Sequence, residues 1–192
     1  MGLDHSRRKF LKAGIALPAA GLVASGKMDA AVQSSPKMVY RTLGKTGLKV
    51  TGVGYGIGFV PVPEVVSRAL DMGINYYDTA RAYGDSEKIF SGIIKGRQRD
   101  KIVIATKSSS TAKADIVKDL ETSLQTLNTD YVDIYHLHGR DNPEQIPDGA
   151  IEALEKCKQE GKARFIGFSC HDPNNMVDFV LKTGKFDVIQ TS

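Results

Sequence analysis

The sequence predicts an α/β protein with parallel strands, built either as an open doubly wound sheet or as a (β/α)8 barrel. Three observations support this fold class. Strand-like and helix-like patterns alternate along the chain, glycines follow the helical patterns, and ionisable side chains end consecutive strands. Strands separated by helices pair in parallel through right-handed crossovers. The alternation alone does not choose between the two architectures.

The predicted body opens with a β-hairpin around Gly44 to Gly47, because short β patterns flank that turn. Strand-like runs then recur at regular intervals, rich in β-branched and aromatic residues. They are Val50 to Gly56, Ile74 to Asp78, Ile102 to Lys107, Val132 to His138, Arg164 to Ser169 and Asp187 to Ser192.

Helical patterns fill the intervals between these runs. Pro63 opens the first, where proline suits a first turn, and Ser86 begins the second. Apolar residues at helical spacing define the other faces. They are Ile116, Leu120, Leu124 and Leu127, then Ile151, Leu154 and Cys157, then Met176, Val177, Val180 and Leu181. Gly73, Gly96, Gly161 and Gly184 stand where helices should end.

Ionisable side chains at three consecutive strand ends favour the barrel. Asp78, Lys107 and His138 each end a predicted strand, and Tyr83 follows Asp78 closely. Taken singly, they could be a turn cap, a solvated strand end and a hydrogen-bonded core histidine. Taken together, they fit the carboxyl-end face of a barrel, where catalytic residues come from several strands. The stretch GVGYGIG lacks the Gly-x-Gly-x-x-Gly spacing, which weakens a dinucleotide-binding open sheet.

The charge distribution argues against a nucleic-acid-binding protein. The net charge is +4, and residues 1–37 contain six basic and two acidic residues, which account for all of it. Residues 38–192 are therefore neutral overall, and a basic footprint for nucleic acid is absent from the body.

Residues 1–37 are predicted to be a signal peptide and linker. The order in SRRKFLKAGIALPAAGLVASG is basic, then apolar, then small, as in secretory signals. Arg7-Arg8 followed by Phe-Leu-Lys resembles the twin-arginine export signal of bacteria. The alternative is a basic tail with a short amphipathic helix. The apolar stretch is too short to span a bilayer. We therefore expect export by the twin-arginine machinery to the periplasm, with no stable membrane span.

Several motifs of the body resemble those of one family. The stretches YRTLGKTGLKV, DTARAYGDSE, VIATK, LQTLNTDYVDIYHLHG and GKARFIGFSC look like consecutive motifs of the aldo-keto reductases. The resemblance covers residues 38–192 and implies a (β/α)8 barrel that binds NADPH or NADH, with NADPH favoured, and reduces a small-molecule carbonyl substrate. It implies a catalytic tetrad of Asp78, Tyr83, Lys107 and His138. His136 shares a strand face with His138.

The tetrad has a physical logic. A phenol is a weak acid with a pKa of about 10, and a nearby ammonium stabilises its phenolate. Lys107 would lower the pKa of Tyr83, Asp78 would hold Lys107, and His138 would orient the substrate oxygen.

The resemblance also implies cofactor contacts at Gly56, Asp78, Ser169, Cys170 and Gln190. Cys170 departs from the family pattern, which usually has asparagine after the serine, and a thiol is a weak donor. Cys157 and Cys170 are expected at opposite ends of the barrel, hence as free thiols. We expect no metal site in the body.

The sequence ends in the sixth predicted strand, so we expect a barrel truncated there that is inactive as a fragment on its own. Two alternatives to the carbonyl reductase remain. One is an exported oxidoreductase of the same fold with an iron–sulfur cluster in a segment after Ser192. The other is a non-catalytic relative that binds nucleotide for regulation.

Overall fold

The structure, a computed structural model, describes residues 38–58 and 61–191. An antiparallel hairpin comes first, followed by a curled sheet of six parallel strands whose order follows the chain. The hairpin strands are β1 (Tyr40–Thr42) and β2 (Lys49–Thr51), joined by a 3-10 turn at Gly44–Thr46. The parallel strands are β3 (Tyr55–Gly56), β4 (Tyr76–Asp78), β5 (Val103–Ser108), β6 (Val132–Leu137), β7 (Ala163–Cys170) and β8 (Val188–Thr191).

Helices connect the parallel strands, as the sequence predicts for a barrel. They are α1 (Pro63–Asp71), α2 (Ser86–Ile94), α3 (Lys113–Leu127), α4 (Asp148–Gln159) and α5 (Val177–Thr183). Further 3-10 turns lie at Arg99–Lys101, Pro143–Gln145 and Pro173–Met176. Gly73, Gly96, Gly161 and Gly184 all have positive φ angles. Each therefore ends a helical segment in the left-handed conformation that glycine adopts most easily.

The two faces of the sheet pack into separate apolar clusters. The outer face and the helices form the larger cluster, which includes Tyr77, Ile104 and Tyr135. The inner face forms a smaller one, in which Val103, Ala105 and Ile134 contact Leu48 and Val50 of the hairpin. The hairpin therefore packs inside the amino-terminal end of the curled sheet. Polar side chains take over the inner face toward the carboxyl ends.

The first predicted strand is split in the structure, which corrects the expectation of one run from Val50 to Gly56. Residues up to Thr51 pair with β1, and only Tyr55–Gly56 pair with β4. The Thr51 hydroxyl donates to the Val53 carbonyl at 2.7 Å, which turns the chain between the two strands. Gly54 then passes so close to the Tyr76 ring that a Cβ there would lie 2.8 Å from it.

Two further expectations about elements need correction. β6 ends at Leu137, so His138 is the first residue after the strand instead of its last. On α5, Val177 and Leu181 are exposed, although the sequence pattern predicts them on the apolar face of the helix. Both cysteines are buried free thiols.

Among the described residues, no helix is both long and apolar enough to cross a membrane. The predicted signal peptide and linker, residues 1–37, lie outside the described residues.

Candidate active site

The site lies at the carboxyl ends of β4, β5 and β6, where strand alternation turns alternate side chains inward. On β5, Val103 and Ala105 belong to the inner cluster, so Lys107 also points inward. Ile134 fixes the same parity on β6 and places His136 inside as well. Lys107 and His136 are register partners across the two strands.

Lys107 and Asp78 form a buried ion pair. The Lys107 ammonium donates to Asp78 Oδ2 at 2.5 Å and to the Thr79 carbonyl at 3.0 Å. The side chains are only 2% and 14% exposed, respectively. Burial lowers the pKa of Lys107, and the carboxylate of Asp78 opposes that shift. Asp78 therefore favours the charged ammonium and fixes its position.

Tyr83 reaches the same place from the loop between β4 and α2. Its ring centroid lies 5.5 Å from Lys107 Nζ. The Tyr83 hydroxyl lies 3.5 Å from His138 Nε2, at the limit of a hydrogen bond, and the two rings meet edge to face. The structure thus brings together all four residues of the predicted tetrad.

The pKa of Tyr83 departs from expectation. Burial raises it, and the negative charge of Asp78 raises it further. The Lys107 ammonium by itself would lower this pKa, as the sequence predicts. In the folded protein, burial and the carboxylate of Asp78 both favour the neutral phenol. Tyr83 is therefore protonated at neutral pH.

Both nearby histidines are held neutral. Burial and then the charge of Lys107 lower the pKa of His138. The same two causes lower the pKa of His136 to about 3. His136 is fully buried, and neither ring nitrogen has a hydrogen-bond partner of ordinary geometry among the described residues. The Gln190 side chain only partly offsets the effect of burial on His136.

The residues assigned to cofactor contacts line the same end of the sheet. Gly56 pairs with Asp78 across β3 and β4. Ser169 Oγ accepts from the Gly139 amide at 2.9 Å, and Gln190 Nε2 lies 3.3 Å from Asp78 Oδ2. Burial raises the pKa of the Cys170 thiol, which is 2% exposed.

A small pocket of about 150 Å³ opens between these groups. It is lined by Tyr83, Lys107, His138, Ser169, Cys170, His171, Gln190 and Thr191. His171 and Thr191 were not among the predicted site residues, although each directly follows one of them in the sequence. A larger hollow of about 790 Å³ lies at the amino-terminal end, beside the hairpin.

Within the described ranges, no group of three or more His, Cys, Asp or Glu side chains is placed to hold a metal ion. The iron–sulfur alternative receives no support from that part of the chain.

The sequence and the fold both match known proteins. The sequence profile of the Aldo/keto reductase family matches residues 56–191. The chain belongs to the aldo/keto reductase family. The matched segment contains all four residues of the predicted tetrad and ends directly after Gln190.

Several aldo/keto reductases and related oxidoreductases are similar to this chain. L-galactose dehydrogenase from Arabidopsis thaliana is 39% identical over 155 residues, which cover 69% of this chain and 49% of that protein. An uncharacterised oxidoreductase of Bacillus subtilis is 35% identical, over 74% of this chain and 52% of its own length. This chain thus spans about half the length of these curated relatives.

Solved structures agree with this assignment. The holo form of an aldo-keto reductase from Bacillus halodurans superimposes with a TM-score of 0.69 at 34% sequence identity. The match covers 81% of this chain and 58% of that one. A reductase from Brucella melitensis superimposes with a TM-score of 0.70 at 27% identity, covering 81% and 62%.

Proposed function

We propose that this protein is an NADPH- or NADH-dependent reductase of small aldehydes or ketones. One observation carries the proposal. A neutral phenol, a buried ion-paired ammonium and a neutral imidazole lie together at one pocket at the strand ends. Three such groups can respectively donate a proton, stabilise the anion left behind and orient the oxygen that receives the proton.

The described residues fit a nicotinamide cofactor. Asp78 Oδ1 and Gln190 Oε1 are buried and without a hydrogen-bond partner in the described ranges, so two acceptors remain for a carboxamide N–H. The Ser169 hydroxyl already accepts a hydrogen bond and keeps its own hydrogen to donate. Gly56, Asp78, Ser169, Cys170 and Gln190 would hold the nicotinamide end, with Cys170 as a weak donor. When bound, the cofactor supplies a hydride to the carbonyl carbon.

Protein side chains then neutralise the negative charge that develops on the carbonyl oxygen. Tyr83 donates its phenolic proton to that oxygen, and Lys107 stabilises the resulting phenolate. Asp78 keeps Lys107 charged. The neutral His138, through Nε2, orients the carbonyl oxygen toward Tyr83. Because the pKa of Tyr83 is raised, the proton is present on the phenol throughout the neutral range.

Two relatives suggest which carbonyl compounds to test. One is the L-galactose dehydrogenase, and another is L-glyceraldehyde 3-phosphate reductase from Escherichia coli, 28% identical over 71% of this chain. Both names refer to an aldose, which in the second protein carries a phosphate. A substrate panel should therefore include aldoses and short sugar aldehydes with and without phosphate, beside simple aldehydes.

Substitution of Tyr83 by phenylalanine tests the proposed reaction. Tyr83→Phe removes the acidic proton and keeps the ring, so turnover should fall at least about 100-fold. Binding of NADPH, followed by its fluorescence, should stay within about twofold of the wild type, since the hydroxyl is assigned no cofactor contact. Full residual turnover in this variant would contradict the role of Tyr83. Nucleotide binding by a wild-type chain without turnover would favour a regulatory, non-catalytic protein.

We also propose that the protein is exported to the periplasm through the twin-arginine route. The support is the string Ser-Arg-Arg-Lys-Phe-Leu-Lys at residues 6–12, followed by a short apolar stretch and small residues. Such a route would suit a protein that carries its cofactor out already bound.

A further inference from the structure

A buried carboxylate on the opposite face of β5 has no part in the proposed chemistry. Glu87, in the first turn of α2, is 1% exposed. Its Oε1 accepts a hydrogen bond from the Thr106 hydroxyl at 2.7 Å, and its Oε2 accepts one from Arg81 Nη1 at 2.6 Å. A buried carboxylate is costly unless it is paired and hydrogen-bonded, and Glu87 has both kinds of partner.

The partners of Glu87 are neighbours of the catalytic candidates in sequence. Thr106 directly precedes Lys107 on β5, and its side chain leaves the strand on the face opposite to that of Lys107. Arg81 lies two residues before Tyr83, and Glu87 four residues after it. One carboxylate thus connects the strand that presents Lys107 to both flanks of the loop that presents Tyr83.

That loop, residues 79–85, is termed the Tyr83 loop below. Its backbone is already tied to β5, because the Thr79 amide donates to the Ala105 carbonyl at 2.9 Å and the Arg81 amide donates to the Lys107 carbonyl at 3.0 Å. The hydroxyls of Thr79 and Ser86, both fully buried, lie 2.7 Å apart and close the loop across its base. Arg81 is therefore held at its amide by the Lys107 carbonyl and at its guanidinium by Glu87.

We propose that Glu87 is a positioning residue that holds the Tyr83 loop against β5 and so fixes the Tyr83 phenol relative to the Lys107 ammonium. The inference rests on the proposed function. Apolar residues of similar volume often stabilise a fold as well as a buried ion pair does. The geometry that the pair imposes therefore explains its presence better than stability alone. A displacement of a reacting group by about 1 Å can lower the reaction rate about 100-fold. A small shift of the Tyr83 phenol is therefore enough for this ion pair to affect the rate.

The test compares Glu87→Gln with a matched control at the other end of the sheet. Gln keeps the size and one acceptor oxygen but loses the charge that pairs with Arg81. Asp133→Asn is the control, because Asp133 is a carboxylate with only 2% exposure that pairs with Arg99 and Arg164 away from the pocket. Arg81→Met removes the same ion pair by changing Arg81, the more exposed of the two partners. This variant replaces Glu87→Gln in the test if Glu87→Gln folds poorly.

The first readout is amide hydrogen exchange of the Tyr83 loop in the full chain, which needs no activity. We expect the loop amides to exchange about 10-fold faster in Glu87→Gln and Arg81→Met, with β5 and β6 amides unchanged. Asp133→Asn should leave loop exchange as in the wild type. Unchanged loop exchange in both ion-pair variants, or an equal effect in Asp133→Asn, would overturn the proposal.

The second readout separates positioning from general stability. We expect kcat to fall about 10-fold in Glu87→Gln, while KM and the Kd for NADPH stay within about twofold. The double variant Glu87→Gln/Arg81→Met should lose no more kcat than either single variant, because both substitutions remove the same ion pair. A kcat equal to that of the wild type would overturn the catalytic importance of the clamp. Absence of turnover in the wild-type chain would instead contradict the proposed function, and hydrogen exchange would still decide the role of Glu87.

Discussion

At the scale of single residues, His136 shows how one buried ring can set a pH dependence. Its pKa of about 3 in the folded protein compares with an ordinary value of 6.5. Between these two values the unfolded chain binds one proton more than the folded one. Stability therefore falls as pH decreases through that window, and the contribution of His136 is flat above the ordinary value.

Replacement of this ring should remove part of the acid sensitivity. In the wild type, His136 should contribute a slope of about 1.4 kcal/mol per pH unit to the free energy of unfolding below about pH 6. In His136→Gln that share of the slope should vanish, which urea unfolding between about pH 4.5 and 7.5 can measure. His171→Gln is the control, because that histidine is 72% exposed. Equal slopes in the wild type and His136→Gln would show that His136 is protonated in the folded protein.

Individual site residues differed in how far sequence could locate them. Asp78, Lys107 and His138 were found because strand alternation and the carboxyl-end rule need only local pattern. The direction of the Tyr83 pKa did not follow from the sequence, because the burial of the phenol and the position of the Asp78 carboxylate near it are properties of the assembled site. Glu87 was passed over because an acidic residue in a first helical turn is common on solvated helices.

At the scale of elements, the pairing of β7 with β8 depends on the absence of a Cβ atom at Gly167. A Cβ on Gly167 would overlap the carbonyl group of Val188, the residue directly opposite it on β8. It would also lie 3.1 Å from the His136 ring on the other neighbouring strand. The close approach of three strands at this level therefore requires glycine.

Substitution by alanine at this position should loosen the sheet. Gly167→Ala should lower the free energy of unfolding by about 3 kcal/mol, since the added methyl meets backbone that cannot rotate away. Gly92→Ala is the matched control. That glycine is exposed within α2, has nothing within 4 Å of its added Cβ, and should gain up to about 1 kcal/mol. Urea midpoints of both variants check the pair, and similar midpoints would contradict the packing argument.

Element boundaries were the least predictable feature of the fold. The order of strands and helices followed from alternating periodicity and helix-ending glycines. The split between β2 and β3 was not predicted, although glycines at 52, 54 and 56 weaken Val50 to Gly56 as one continuous strand. The turn depends on a hydrogen bond from Thr51 and on the contact of Gly54 with Tyr76, which is distant in sequence.

At the scale of the whole molecule, the export proposal is testable apart from catalysis. Substitution of both Arg7 and Arg8 by lysine keeps the charge of the leader and removes the twin-arginine pair. We expect the wild-type chain in the periplasmic fraction of a bacterial host and the variant in the cytoplasmic fraction. The same distribution for both chains would contradict the twin-arginine route, and a cytoplasmic wild type would contradict export.

The two faces of β5 also bear on how the chain reaches its native register. The inner face presents Lys107 to Asp78, and the outer face presents Thr106 to Glu87. A slip of β5 by one residue would turn the Lys107 side chain to the outer face, toward Glu87. Asp78 would then face a hydroxyl side chain of β5 in place of the ammonium. Such a slipped strand would still form one lysine–carboxylate pair. Charge alone therefore cannot choose between the two registers. The choice falls to the apolar residues, because Ile104 fills the helix side and Ala105 the narrower interior. Arg81 also contributes, because its ion pair with Glu87 already satisfies the carboxylate on the outer face.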